Sequence, residues 1–251
     1  MNKIAPDLAE FLKTHINLLQ KNKLGSLYLR WEEYRNTELT EFLYSAGINP
    51  LSYLPKVPEW YLTGHIGNIK TIHIPSNCTS IGENAFAGMD NLKNVYMHDD
   101  IITIGNNAFD STPSLEAIYI PGMLQIVPSA FCKNSGIKKI MFGGKGDLTT
   151  LSSTAFANCN NLTEVRIPEG VEFIGYHCFY GCSRLTRVIL PYTIESLDDF
   201  AFANCVHLSV VEFQGSKQEF ENIYEGDGVF RNCPNSLKIK CTDGYITDYS
   251  R

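Results

Sequence analysis

An Ala-Phe pair recurs along this chain, at Phe86, Phe109, Phe131, Phe156, Phe179 and Phe202, with an altered copy at Phe230. The intervals are 23, 22, 25, 23, 23 and 28 residues. A second apolar series, Ile69, Leu92, Leu115, Ile137, Leu162, Leu185, Leu208 and Leu237, keeps the same phase. Two apolar series locked together at such a period specify a solenoid, in which each coil buries its apolar residues only against its neighbours. The Phe is read as a wedge filling the centre of each coil.

Within each repeat, the segment around Val95, Ile118, Ile140, Val165, Val188 and Val211 alternates apolar and polar residues with β-branched enrichment, the pattern of a short strand. Pro75, Pro121, Pro168 and Pro191 follow it and end the ladder, because proline has no N–H to donate. The series Ile81, Ile104, Val127, Leu151, Ile174 and Leu197 then turns back into the core. Gly82, Gly105 and Gly175 come next, where a sharp bend is expected. The Ala-Phe segment is expected to close the coil as a short helix or 3₁₀ turn.

Eight cysteines invite a disulfide or zinc reading, and the period argues against both. Cys159, Cys182, Cys205 and Cys233 each stand three residues after their Phe, where earlier copies carry Met89, Thr112 and Asn134. That is a small buried position repeated from coil to coil, and free Cys packs there as a small hydrophobe. Zinc needs short Cys pairs with matching partners, and the only close pair, Cys178 and Cys182, arises because Cys178 replaces the Ala before Phe179.

With the repeats aligned, the pattern I-P…V-x-x-I-G-x-x-A-F-x-x-C-x-x-L resembles the BspA-type leucine-rich repeats. Ile167, Pro168, Val171, Ile174, Gly175, Phe179, Cys182 and Leu185 match it residue for residue, with Cys178 in the Ala place. The resemblance implies an α/β repeat fold, a right-handed leucine-rich-repeat solenoid with a parallel β-sheet face. It implies an array over 57–245, built of a half-repeat at 57–68, about seven repeats and an irregular last repeat at 213–241. The stretch KIKCTDGYI resembles the usual ending of such arrays, so the C-terminus is expected to be native, with 246–251 as a tail.

Residues 1–56 depart from the repeat. Leu8, Phe11, Leu12, Ile16 and Leu19 sit at helical spacing, and Trp31, Tyr34, Leu39, Phe42 and Leu43 continue the pattern. A helical N-terminal cap over the open end of the solenoid is expected.

The outward strand positions form rows along the array. One reads His73, Tyr96, Tyr119, Met141, Arg166, Ile189 and Glu212; the other reads Thr71, Asn94, Ala117, Lys139, Glu164, Arg187 and Val210. These positions vary from copy to copy on a repetitive scaffold, as a unique binding surface does. His73, Tyr96, Tyr119 and Met141, with His98 beside them, are of types that anchor protein interfaces. Lys139, Arg166 and Arg187 complete the candidate site.

A net charge of −6 and a pI near 5.5 argue against a nucleic-acid backbone or an anionic membrane as the main partner. No stretch approaches the roughly 18 apolar residues of a membrane span. Asp7, Glu10, Lys13 and His15 interrupt what would be the apolar core of an export signal. The six histidines share no motif spacing, and neither a nucleophile elbow nor a phosphate loop is present. Gly143-Gly144-Lys145-Gly146-Asp147 is a two-residue insertion in a turn. The acidic pairs Asp99-Asp100 and Asp198-Asp199 lack the further ligands calcium needs.

The expectation is therefore a non-enzymatic, cofactor-free protein-binding module with no metal site. Small intracellular versions of such arrays resemble products of mobile elements and phages, so it is expected in the cytoplasm of the producing or infected cell, blocking or recruiting a host protein such as a defence factor. An adhesin or glycan-binding module whose leader is missing is one alternative, and a self-assembling structural module is another.

Overall fold

The structure, a computed structural model, describes residues 69–247 apart from 75, 77, 122–124, 127–129, 132–135 and 144–147. The expected helical cap at 1–56 and the half-repeat at 57–68 lie outside the described residues.

The core is a column of rings. Phe86, Phe109, Phe131, Phe156, Phe179, Phe202 and Phe230 stack consecutively, with centroids 5.1–5.6 Å apart. The first six are wholly buried. The offset suits aromatic stacking, and burying each ring contributes about 1.5–3 kcal/mol. Leu92, Leu115, Ile137, Leu162, Leu185 and Leu208 are likewise fully buried.

Three ladders run along this column. The first is the expected strand face. Its strands are β1 (Thr71–His73), β3 (Asn94–Tyr96), β5 (Ala117–Ile120), β7 (Lys139–Phe142), β9 (Glu164–Arg166), β11 (Arg187–Leu190), β13 (Val210–Phe213) and β15 (Lys238–Cys241). Pairing is parallel, in one repeat register: Ile72 faces Val95, Ile118 faces Ile140, and Val165, Val188, Val211 and Ile239 align. The face is not one sheet. It falls into β1–β3, β5–β7 and a C-terminal sheet from β9 onward.

The second ladder comprises strands of only two residues: β2 (Ser80–Ile81), β4 (Thr103–Ile104), β6 (Gln125–Ile126), β8 (Thr150–Leu151), β10 (Phe173–Ile174), β12 (Ser196–Leu197) and β14 (Tyr224–Glu225). They pair in parallel as β2–β4–β6 and β8–β10–β12–β14. The glycines after them are not bends. A Cβ at Gly105 would lie 2.6 Å from the Glu83 nitrogen, and one at Gly175 would lie 2.9 Å from the Ser153 nitrogen. They are small because the preceding coil's backbone passes there.

The third ladder replaces the helix or 3₁₀ turn expected at Ala-Phe. Phe86, Phe109, Phe156, Phe179 and Phe202 each donate their N–H to a carbonyl of the following coil, at 2.8–3.0 Å. The chain is turned rather than helical because residues flanking the Phe take left-handed angles: Asn84, Asn107, Thr154, His177 and Phe200 before it, with φ of 52–56°. Gly88, Ser111, Asn158, Gly181 and Asn204 do so after it. Asn and Gly tolerate this region; Thr, His and Phe enter it at a cost.

The cysteines pack as the period requires. Among the described residues all are free thiols, buried except for the half-buried Cys233. Cys182, Cys205 and Cys233 donate S–H to the carbonyls of Phe156, Phe179 and Phe202, each at 3.3 Å. Those carbonyls belong to the preceding coil; Thr112 instead donates its hydroxyl to the Phe109 carbonyl of its own coil, at 3.0 Å. Burial pushes the thiols up, Cys78 to about 11 and Cys233 to about 12.

In the irregular last repeat, helix α1 (Lys217–Glu221) opens on a capping box between Ser216 and Glu219 and buries Phe220. After β15 the chain reverses through Gly244 (φ 133°), and β16 (Gly244–Ile246) pairs antiparallel with β15. This hairpin occupies the last edge of the C-terminal sheet.

Candidate binding face

The predicted site residues all lie on or beside the strand face, in the rows the period implies, but the breaks in the sheet divide them into smaller groups. His73 and Tyr96 face each other in register, and their rings stack at 4.6 Å and 14°. Both are exposed, Tyr96 by 55%. Tyr119 faces Met141 in the next pair of strands. Its hydroxyl donates to Asp99 at 2.5 Å, and that bond to a carboxylate raises the phenol above its ordinary range. Met141 is 39% exposed. Lys139 and Arg166 are exposed, and no ion pair among the described residues engages either of them.

Two predicted residues have structural employment. His98 is half-buried, its Nε2 3.1 Å from the Cys78 carbonyl and its Nδ1 accepting the Asp100 N–H at 3.3 Å. Those partners assign the Nε2–H tautomer, which ties the turn after β3 to the preceding coil. Arg187 is held between Glu164 at 3.0 Å and Glu212 at 2.9 Å, and Lys240 reaches Glu212 at 3.1 Å. This ladder crosses four strands and draws the Glu212 carboxyl below its ordinary range, the Arg187 bond being the main cause. Ile189, counted among the outward residues, is 3% exposed between Arg166 and Glu212 in register.

Spacing did not reveal a cleft where the ladder lapses between β7 and β9. No strand pairing joins them. The cleft encloses about 460 Å³ and is lined by Lys139, Met141, Phe142, Glu164, Arg166 and Pro168, among others. That volume lies in the range of ligand sites. Its walls combine two unpaired cations with apolar Met and Phe surface. The available signal was the 25-residue step between Phe131 and Phe156, whose extra residues fall in sequence between β7 and β8. Among the described residues, no group of three or more His, Cys, Asp or Glu gathers to hold a metal ion. No helix there is long and apolar enough to cross a membrane.

Comparison with known proteins agrees with the repeat. No curated protein matches the chain. Among solved structures, it resembles a leucine-rich repeat protein from Bacteroides ovatus ATCC 8483 at 20% identity and a TM-score of 0.49, covering 70% of this chain and 56% of that one. It also resembles a leucine-rich repeat protein from T. pallidum, at 25% identity and a TM-score of 0.48 over 72% of each chain. A third, a leucine rich cell surface protein from Faecalibacterium prausnitzii A2-165, has 19% identity and a TM-score of 0.40, covering 74% of this chain and 71% of that one. The BspA type leucine rich repeat region matches residues 64–160 and 149–250 in six copies. With most of its length accounted for by that repeat, the chain belongs to the BspA-type leucine-rich repeat family.

Proposed function

We propose that this chain is a protein-recognition module whose strand face, from His73 to Arg166, seats another protein. The observation that carries this reading is the union on one face of an exposed aromatic stack, His73 on Tyr96, with a cleft walled by Met141, Lys139 and Arg166. Aromatic, Met and Arg side chains are the types enriched in interface centres, and Tyr offers contact area at little entropic cost. Binding suits these groups better than catalysis. Tyr119 and His98 are each tied to a neighbour, and Glu164, the carboxylate lining the cleft, is paired with Arg187.

As a finer reading, the partner is a host protein met in the cytoplasm of the producing or infected cell, which the module blocks or recruits. What supports a reducing compartment is the thiol column. Cys159, Cys182, Cys205 and Cys233 occupy one position in successive coils. Coils stack at about 4.8 Å, within disulfide reach. Cross-linking them would sacrifice the S–H bonds to the Phe carbonyls that the fold uses.

The test is affinity capture from host lysate with the parent and a Tyr96→Ala/Tyr119→Ala variant, their folding matched by circular dichroism. The parent retains a defined partner and the variant loses it. Equal recovery by both removes the strand face from the account.

A further inference from the structure

Among the described residues, a different face of the same coils carries three of the exposed rings outside the strand face, Phe173, Tyr176 and Tyr224. On the second ladder, Phe173, Ser196 and Tyr224 align in register, and Phe173 is 41% and Tyr224 67% exposed. Tyr176, 42% exposed, stacks on His177 at 3.9 Å, and His177 lies 4.4 Å from Tyr180. Phe200 of the next coil meets Tyr176 and His177 edge-on, at 6.3 and 5.5 Å. These rings belong to three successive coils.

Their positions are not what the scaffold asks for. His177 and Phe200 have φ of 55° and 56°, at a place where other coils use Asn84, Asn107 and Gly228. Bulky side chains are costly there, and the Phe column is complete without them.

The charge is equally one-sided. Glu172, Glu195, Asp198, Asp199, Glu225 and Asp227 lie in the same stretches, and residues 172–180, 195–200 and 224–230 contain no Lys or Arg. Arg184 and Arg231 follow beyond them; Arg184 is bonded to Asn161. No ion pair among the described residues engages Glu172, Glu195, Asp198, Asp199 or Asp227. The chain has 27 acidic and 21 basic residues, so these six carboxylates equal its entire negative excess. Elsewhere the signs balance.

We propose that this aromatic and acidic face binds a cationic polypeptide segment of a partner protein. Guanidinium and ammonium groups would lie over Phe173, Tyr176 and Tyr224 and pair with the surrounding carboxylates. Arg is favoured over Lys, because its planar guanidinium stacks on rings and bonds carboxylates together. The surface is independent of the strand face, so either can fail without the other.

The test is fluorescence anisotropy with short labelled peptides alternating Gly with Arg, Lys or Glu, read from low to physiological salt. Three triple variants discriminate: Phe173→Ser/Tyr176→Ser/Tyr224→Ser, which leaves the charge unchanged; Glu195→Gln/Asp198→Asn/Asp227→Asn; and a control, Glu83→Gln/Asp90→Asn/Asp110→Asn. The single change Tyr224→Ser, at the most exposed ring, guards against misfolding of the aromatic triple. The Arg peptide is expected to bind more tightly than the Lys peptide, and the Glu peptide not at all. The aromatic and acidic triples each weaken binding roughly tenfold, Tyr224→Ser roughly threefold, and the control less than about twofold. The proposal is overturned if Tyr224→Ser and the aromatic triple bind as the parent does. A control as damaging as the acidic triple also overturns it, showing diffuse charge alone. So does a parent dimer that the aromatic triple abolishes, which would make the occupant a second copy of the chain.

Discussion

Replacing Phe156 by Ala tests whether the ring column is the spine of the molecule. Phe156 is wholly buried, with Phe131 at 5.3 Å and Phe179 at 5.4 Å on either side and Phe142 edge-on at 6.5 Å. Truncating a buried Phe costs about 3–5 kcal/mol, the upper end applying where the cavity cannot collapse. Here both walls are rings held by their own coils, so the upper end is expected. Phe230 is the last ring of the stack among the described residues, 5.6 Å from Phe202, and is 7% exposed rather than wholly buried, so Phe230→Ala should cost about 2–3 kcal/mol. The two losses also differ in kind. In a nearest-neighbour array a defect in the middle uncouples the two halves, whereas one at the end frays only the end. Urea unfolding followed by circular dichroism should show Phe156→Ala splitting the transition into two steps. Phe230→Ala should keep one principal step with a slightly earlier onset. Equal losses with a single unchanged transition in both would refute the column as the element coupling the coils.

Three further outcomes follow from local geometry. Thr154, a β-branched residue at φ 55°, occupies a position that Asn fills in other coils, so Thr154→Asn should stabilise by about 1 kcal/mol, raising Tm by roughly 2–4 °C in calorimetry. Burial raises the described thiols, so a thiol reagent near neutral pH should label the native chain slowly and the urea-unfolded chain fast. The Glu212 carboxyl is depressed in the folded state, so its contribution is present above the ordinary glutamate range and is lost as pH falls through the folded value. Arg187→Met should therefore lower stability slightly at neutral pH, the small loss expected for an exposed ladder, and flatten the acid limb of the profile below about pH 4.5 by the same amount.

The repeat was legible because burial is periodic: Phe, Leu and the residue three after each Phe return in phase, and their side chains occupy one core. The second ladder was not, since two-residue strands such as Thr103–Ile104 are too short to show alternation. The Ala-Phe turn was misread as helical although a signal was present. Asn84, Asn107, Asn158 and Asn204 mark left-handed positions on either side of the Phe. On the strand face, register correctly brought His73 beside Tyr96. It did not separate exposed side chains from those engaged one coil away. His98 bonds a carbonyl 20 residues back, and Arg187 bonds carboxylates 23 and 25 residues distant. The cleft escaped notice because it is made by a pairing that is missing.

The central claim is that the strand face is where this solenoid meets its partner. Photo-crosslinking tests it most directly, with a benzophenone amino acid placed in turn at Tyr96 on that face and at Tyr192, which is 57% exposed in a turn of the C-terminal coils. The account predicts a discrete protein adduct from position 96 and none of the same mass from position 192. The same adduct in equal yield from both positions, or from 192 alone, would contradict it.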